Sequence, residues 1–233
     1  MCRFTLSLAV KFCEGTIVQS LKAILYDLDG TIADTDPIHF IAWQDCLKEF
    51  GIEITETFYK QEMSGSTNPR LIAKFLPQLS AAEGEALSEQ KEARFRALAQ
   101  QLPLTPGLMD LIDWAKQRHI QQAVVTNAPR KNAEFMLKAL QLDDVFDRVI
   151  LAEEVGIGKP DPAPYTYALK QFGLEPDQAI AFEDSPLGIQ SAIAAGILTI
   201  GIASTQTPKD LKHMGTTLAI QDFTAPELWA LLD

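Results

Sequence analysis

The stretch Tyr26-Asp27-Leu28-Asp29-Gly30-Thr31 decides the fold, because it joins an apolar run to two carboxylates, a glycine and a hydroxyl. The apolar residues before it, 23–25, are typical of a short strand buried on both faces of a parallel sheet. Asp27 would then lie at the carboxyl end of that strand, the edge where open α/β sheets bind ligands. The same residues also suit a simple turn, since Asp and Gly favour turns. The rest of the chain has to distinguish a site from a turn.

Composition limits the class of protein and its partners. The chain has 233 residues, 47% of them hydrophobic and 22% charged, which allows one large domain or a domain with a smaller insert. Its formal net charge of -11 argues against proteins that bind nucleic acid or anionic membranes, because those need a basic surface. We therefore expect no nucleic-acid and no membrane partner. An anionic substrate would have to be bound by local positive groups.

Cysteine usage and the amino terminus bear on location. The three cysteines, Cys2, Cys13 and Cys46, form neither a disulfide framework nor a thiolate zinc motif. This usage predicts a reducing, cytoplasmic location. Separately, we expect a monomer or weak dimer. The apolar run near the amino terminus faintly resembles a signal peptide, but Lys11 cuts it short. We interpret residues 1–20 as an extension of unknown role.

A long helical stretch follows the first motif. Helical periodicity from Pro37 to Phe50, a piece over 71–76 and a third over 81–101 predict three helices, and no strand is predicted among them. We therefore predict an all-helical cap region, residues 37–102, inserted into a core formed by 21–36 and 103–233. Beyond Pro106-Gly107, apolar strands alternate with amphipathic helices, as in βαβ units.

Polar groups follow three of the later strands. Thr126-Asn127 follows the strand at 123–125, Glu183-Asp184 follows that at 179–182, and Lys159 lies in a Gly- and Pro-rich loop after that at 149–151. Each has an ordinary structural explanation as a helix cap, a helix-start acid or a surface lysine. Their common place at strand ends, together with Asp-x-Asp, indicates one site.

The motifs resemble those of the haloacid dehalogenase superfamily of phosphohydrolases over about residues 22–202. They occur in the superfamily's order as Asp27-Leu28-Asp29-Gly30-Thr31, Thr126-Asn127, Lys159-Pro160 and Glu183-Asp184. The helical insert after the first motif resembles the branch that contains β-phosphoglucomutase and small-metabolite phosphatases. The resemblance implies a Rossmann-like α/β fold with a parallel sheet of order 3-2-1-4-5 and an inserted helical cap.

The resemblance also implies a Mg²⁺ site. Its ligands would be Asp27, the backbone carbonyl of Asp29 and Asp184, with Glu183 as a helper. Oxygen ligands of this kind suit a hard, octahedral cation.

The same resemblance assigns catalytic roles. Asp27 would be the nucleophile that forms an aspartyl phosphate, and Asp29 the acid and base. Thr126, groups near Asn127, and Lys159 would hold the phosphoryl oxygens.

Five residues in or near the cap region are candidates for substrate binding. Thr35 and His39 match hinge-region positions of the β-phosphoglucomutase pattern, and Lys91 resembles a further cap residue. Where the mutase has an arginine for a distal phosphate, this chain has Asn68, with Arg70 two residues later. This departure favours phosphatase over mutase activity.

The leading hypothesis is a Mg²⁺-dependent phosphatase that acts on a small phosphorylated metabolite. The alternatives are a β-phosphoglucomutase-like mutase and, from another class, a non-catalytic phosphate-binding or regulatory protein on the same scaffold. Dehalogenation is disfavoured, because that chemistry needs no metal and leaves Asp29 and the second acidic pair unexplained.

Overall fold

A computed structural model describes residues 21–233 of the chain. The predicted extension 1–20, with Cys2 and Cys13, lies outside the described residues. Cys46 is a buried free thiol. Across the described residues, no helix combines the length and the apolar character that a membrane crossing requires.

A six-stranded parallel sheet forms the centre of the protein, in the order β3-β2-β1-β4-β5-β6. The strands are β1 (Ala23–Tyr26), β2 (Gln121–Thr126), β3 (Arg148–Leu151), β4 (Ala179–Glu183), β5 (Leu198–Ile202) and β6 (Leu218–Ile220). The predicted order 3-2-1-4-5 is confirmed. The sequence analysis missed β6, because this strand has only three residues and two of them are partly exposed.

Five helices lie between β1 and β2, and the first four of them form the predicted cap region. These four are α1 (Asp36–Lys48), α2 (Glu56–Glu62), α3 (Asn68–Phe75) and α4 (Ala81–Leu98). The helix α2 was not predicted, since it is only seven residues long and begins at a Thr55 cap rather than at an apolar repeat. The longest helix, α4, starts with a reciprocal capping box between Ser80 and Glu83.

The remaining helices flank the sheet. They are α5 (Leu108–Gln117), α6 (Arg130–Ala139), α7 (Ala152–Val155), α8 (Ala163–Phe172), α9 (Pro186–Ala194), α10 (Pro208–His213) and α11 (Pro226–Leu232). Helices of this kind cover both faces of a parallel sheet, which is why the central strand β1 is apolar and buried along its whole length.

The buried side chains form one apolar cluster on each face of the sheet and a third among the cap helices. Phe182 on β4 is fully buried in the larger cluster. Its ring stacks on Tyr26 with centroids 5.7 Å apart and meets Phe223 edge-on at 5.1 Å. This aromatic group lies directly behind the strand ends that carry the first and last motifs.

Replacing Phe182 by Ala should lower the free energy of unfolding by about 3–5 kcal/mol, because a buried aromatic ring is lost and a cavity remains. Urea denaturation at 25 °C would measure the change. The control is Tyr167→Ala, which truncates an exposed aromatic residue on α8 and should change stability by about 0.5 kcal/mol or less. Equal effects of the two substitutions would contradict the assigned core.

Candidate active site

The sheet register brings the motif residues together at one edge. Tyr26 pairs with Val124 of β2 on one side and with Phe182 of β4 on the other. The residues that follow therefore meet at the carboxyl edge, where Asp27 and Glu183 are neighbours. Thr126, at the end of β2, lies on the opposite side of β1 from Glu183. This edge is the topological switch point of the sheet, where open α/β folds form their ligand sites.

Lys159 lies between two of these carboxylates. Its Nζ atom is 2.6 Å from Asp27 Oδ1 and 2.6 Å from Glu183 Oε1, and the residue is 3% exposed. Glu183 Oε1 also accepts a hydrogen bond from the Tyr165 hydroxyl at 2.7 Å. One ammonium group thus offsets the repulsion between two buried acids.

Burial and charge shift the pKa values in this group. Burial disfavours the charged form of Lys159, but Asp27 and Glu183 outweigh that effect and raise the pKa of its ammonium above the usual value. Burial raises the pKa of Asp27 well above its usual range, although Lys159 opposes the shift. The pKa of Asp184 is also raised, by burial first and then by its proximity to Asp27. Lys159 therefore stays protonated at neutral pH. Its single positive charge does not balance the buried acids around it, so the pKa values of Asp27 and Asp184 remain raised.

The side chains of Asp27, Glu183 and Asp184 form a buried acidic cluster, in which one carboxylate oxygen from each residue lies within 4.8 Å of the others. Asp184 Oδ1 and Glu183 Oε2 are buried and accept no hydrogen bond from the described residues. Gly30 has a positive φ of 83°, and a Cβ atom there would overlap the Asp184 carboxylate. Gly30 therefore lets the Asp184 carboxylate approach the backbone of the first motif, and the two unpaired buried oxygens are suited to a divalent cation with oxygen ligands.

Asp29 lies beside the cluster and connects to the cap region. Its Oδ1 atom accepts hydrogen bonds from Thr35 Oγ1 at 2.7 Å and His39 Nε2 at 3.0 Å. Lys91 Nζ is 2.8 Å from His39 Nδ1. Since an ammonium can only donate, Nδ1 accepts and Nε2 carries the hydrogen that points to Asp29. Burial alone would raise the pKa of Asp29, but the bonds from His39 and Thr35 lower it overall.

Asn127 connects the Lys159 loop of the core with the cap region. Its Oδ1 atom accepts from the Lys159 backbone N–H at 2.9 Å, and its Nδ2 donates to the Gly65 carbonyl at 2.9 Å. Thr126 Oγ1 accepts from the Ala128 N–H. The Asn127 side chain therefore orients the Lys159 loop and contacts a cap loop.

The two loop residues predicted to bind substrate lie in different places. Asn68 is buried and donates to Ser88 Oγ at 3.0 Å and to Glu92 Oε1 at 2.5 Å. Arg70 is exposed and does not line the cavity that contains Asp27. The reason is local: the chain enters α3 at Asn68, and two residues further the side chain lies on the outer face of the helix. We therefore do not assign Arg70 to the site.

The structure brings further polar residues to the cavity that the sequence analysis did not identify. Asp36 accepts hydrogen bonds from the Tyr59 hydroxyl at 3.2 Å and from Ser64 Oγ. Glu92 lies deep in the cap side and is 3% exposed. Neither residue stands out in the sequence, because Asp36 looks like a helix-start acid and Glu92 like one of several acids on a surface helix.

The cavity is lined by the core and the cap region together. Its lining includes Asp27, Asp29, His39, Trp43, Asn68, Lys91, Glu92, Thr126, Asn127, Asn132 and Lys159. Apolar residues such as Met63 and Leu71 also line this chamber, and both acids of the first motif face it.

Residues 24–202 match the family described as haloacid dehalogenase-like hydrolase. The chain belongs to this family. The match spans the sheet from β1 to β5 together with the cap region, so it includes every motif residue of the candidate site. The candidate site described above therefore lies within the matched residues.

Known relatives agree with this assignment. The chain is 31% identical over 182 residues to the Escherichia coli fructose-1-phosphate phosphatase YqaB, covering 77% of this chain and 95% of that protein. It is 28% identical over 178 residues to a phosphorylated carbohydrates phosphatase of Thermotoga maritima, covering 76% and 82%. The crystal structure of CbbY from Rhodobacter sphaeroides in complex with phosphate superposes with a TM-score of 0.79 at 27% identity, covering 91% and 99%.

Replacing Lys159 by Met should lower the free energy of unfolding by about 3–5 kcal/mol, because removing one partner of a buried ion pair leaves an uncompensated charge. Urea denaturation at pH 7 with EDTA present would measure this. The control Lys170→Met removes an exposed lysine from α8 and should have an effect of about 0.5 kcal/mol or less. Wild-type stability of the Lys159 variant would refute the charge balance described here.

Proposed function

We propose that the protein is a Mg²⁺-dependent phosphatase that hydrolyses a small phosphorylated metabolite through an aspartyl phosphate on Asp27. The observation that carries the proposal is the Asp27 carboxylate, which Lys159 holds through Oδ1 at the base of a chamber shared by core and cap region. Its Oδ2 atom accepts no hydrogen bond from the described residues and is available as the nucleophile. The phosphatases among its relatives support the same reaction class.

In the first step, Asp27 attacks the phosphorus atom, and the ester P–O bond breaks. The leaving oxygen takes a proton from Asp29, so the alcohol departs neutral. Lys159 remains within reach of the phosphoryl oxygens, and the Thr126 hydroxyl lies at the neighbouring strand end. These groups stabilise negative charge that spreads over the equatorial oxygens in the transition state.

In the second step, water attacks the aspartyl phosphate and gives a proton to Asp29, which regenerates the Asp27 carboxylate and releases orthophosphate. The lowered pKa of Asp29 favours the carboxylate form that this step needs. The proton that Asp29 takes from water in this step is the one that it gives to the leaving oxygen in the next turnover. Thr35 Oγ1 and His39 Nε2–H hold the Asp29 carboxylate in position for both transfers.

Mg²⁺ would be held by Asp27, Asp184 and the Asp29 backbone carbonyl, with Glu183 alongside. When bound, it neutralises negative charge on the phosphoryl group. The unpaired buried oxygens of Asp184 and Glu183 support this ligand set.

Hydrolysis is favoured over a mutase reaction by the state of Asn68. A mutase has to hold a second phosphate firmly while the intermediate turns round, and a bidentate arginine suits that task. Asn68 offers a neutral amide that is already engaged by Glu92 and Ser88. The same site also argues for catalysis over simple phosphate binding, because both acids of the first motif line the chamber.

The proposal predicts that Asp27→Asn abolishes phosphate release while the protein stays folded, since an amide is a poor nucleophile of nearly the same shape. A panel of phosphorylated metabolites, assayed for orthophosphate with and without Mg²⁺, would test wild type and variant together. The control Asp113→Asn alters an exposed acid on α5 and should retain full activity. Substantial release by the Asp27 variant would refute the nucleophile assignment.

Mg²⁺ dependence should rest more on Asp184 than on Glu183, because Glu183 is already bonded to Lys159 and Tyr165. We expect Asp184→Ala to raise the Mg²⁺ concentration for half-maximal activity by about 10–100-fold or more. Titrating Mg²⁺ with each alanine variant provides the measurement. An unchanged requirement in the Asp184 variant would show that the metal binds elsewhere.

A further inference from the structure

A fixed carboxylate forms part of the cap-side wall of the chamber. Glu92 Oε1 accepts hydrogen bonds from Asn68 Nδ2 at 2.5 Å and from Lys91 Nζ at 2.8 Å, and its Oε2 accepts from Asn132 Nδ2. Glu92, Asn68, Lys91 and Asn132 all line the cavity that contains Asp27. The carboxylate therefore faces the space that the leaving group of a substrate would fill.

The surroundings of Glu92 keep it ionised. Burial by itself would raise the pKa of its carboxyl, but the charge of Lys91 and the hydrogen bonds that Glu92 accepts lower it overall. Hydrogen bonds to the charged form stabilise that form. A negative charge thus persists in this wall at neutral pH.

Both walls of the chamber hold this group in position. Asn132 belongs to α6 of the core, and its Oδ1 accepts from Arg96 Nη1 of α4 at 2.5 Å. Asn68 belongs to α3 and is also bonded to Ser88. Glu92 therefore cannot turn away from an incoming anion without breaking contacts on two other helices and separating from Lys91.

No unpaired cation in the chamber is available for a second anion. Among the described residues that line it, the groups able to carry positive charge are Lys91, Lys159 and His39. Each is already bonded to a carboxylate: Lys91 to Glu92, Lys159 to Asp27 and Glu183, and His39 to Asp29. The phosphoryl group that reacts meets Lys159, so the rest of the substrate meets a paired lysine and a carboxylate.

We propose that Glu92 is a specificity-determining residue that confines the substrate to phosphate monoesters whose leaving group carries no second anionic group. A second phosphate or a carboxylate would be placed against a buried like charge, which is a direct means of rejecting it. Hydroxyl groups of an uncharged, polyhydroxylated leaving group can instead bond to Glu92, Asn68 and Asn132. This inference rests on the proposed phosphatase function and narrows its substrate class.

Matched pairs of substrates test the proposal. The first pair is 2-hydroxyethyl phosphate and phosphoglycolate, in which a hydroxymethyl group and a carboxylate occupy the same position. The second pair is fructose 1-phosphate and fructose 1,6-bisphosphate. We expect the wild-type kcat/KM to favour the uncharged member of each pair by about tenfold or more, from orthophosphate release under saturating Mg²⁺.

The variant Glu92→Gln keeps the shape and removes the charge. It should shift the kcat/KM ratio of each pair towards the anionic member by about tenfold, whereas a purely structural defect would lower both members together. Glu85→Gln is the matched control, because Glu85 is an exposed acid two turns earlier on α4 and does not line this cavity. Its ratios should equal those of the wild type.

Two results would overturn the inference and leave the phosphatase function intact: equal wild-type kcat/KM values within each pair, or an unchanged ratio in a folded Glu92→Gln protein. Should that variant fail to fold, the wild-type ratios decide alone. Absence of orthophosphate release from every member of both pairs and from the wider metabolite panel would instead overturn the proposed function, and this inference with it.

Discussion

The ammonium of Lys159, held 2.6 Å from both Asp27 and Glu183, is the interaction on which the site depends. Parallel strands end at a common edge, so a fold that puts acids after β1 and β4 forces them together. Without a buried cation, the carboxylates would repel one another or take up protons. The Lys159 loop is itself anchored by Asn127, whose oxygen accepts the backbone N–H of Lys159. The contact that positions the Lys159 loop therefore also positions the charge that the two carboxylates need.

The same residues connect the core to the cap region. Asn127 reaches the Gly65 carbonyl, and Asn132 bonds to Glu92 and Arg96 of α4. The chain from Lys91 through His39 to Asp29 carries hydrogen bonds from α4 to the second acid of the first motif. The lowered pKa of Asp29 therefore depends on the position of the cap region, because His39 donates to its carboxylate. Under the proposed function, these shared side chains would couple the chemistry at Asp29 to the position of the cap region.

Charge distribution explains how an acidic protein can act on an anion. The formal charge of -11 offers no general attraction for phosphate. Each described cation that lines the chamber is bonded to a carboxylate. Under the proposed function, Lys159 beside Asp27 would supply positive charge locally to the phosphoryl oxygens. A bound divalent ion would add to this local balance rather than to a broad basic surface.

The sequence predicted the buried strands and the position of the motif residues at their ends, because apolar runs predict buried strands and polar residues directly after them lie at the sheet edge. The order of the first five strands came from the resemblance of the motifs to those of the haloacid dehalogenase superfamily. The sequence could not identify the short strand β6 or the helix α2, whose local signals are weak. The tertiary structure alone decided which polar side chains pair. Lys159 bonds to Asp27, 132 residues away in the sequence, and Asn132 bonds to Glu92, 40 residues away. The tertiary structure also decided that Asn68 lies inside the chamber and Arg70 outside, because side-chain partners are set by packing between distant segments and not by neighbours in the chain.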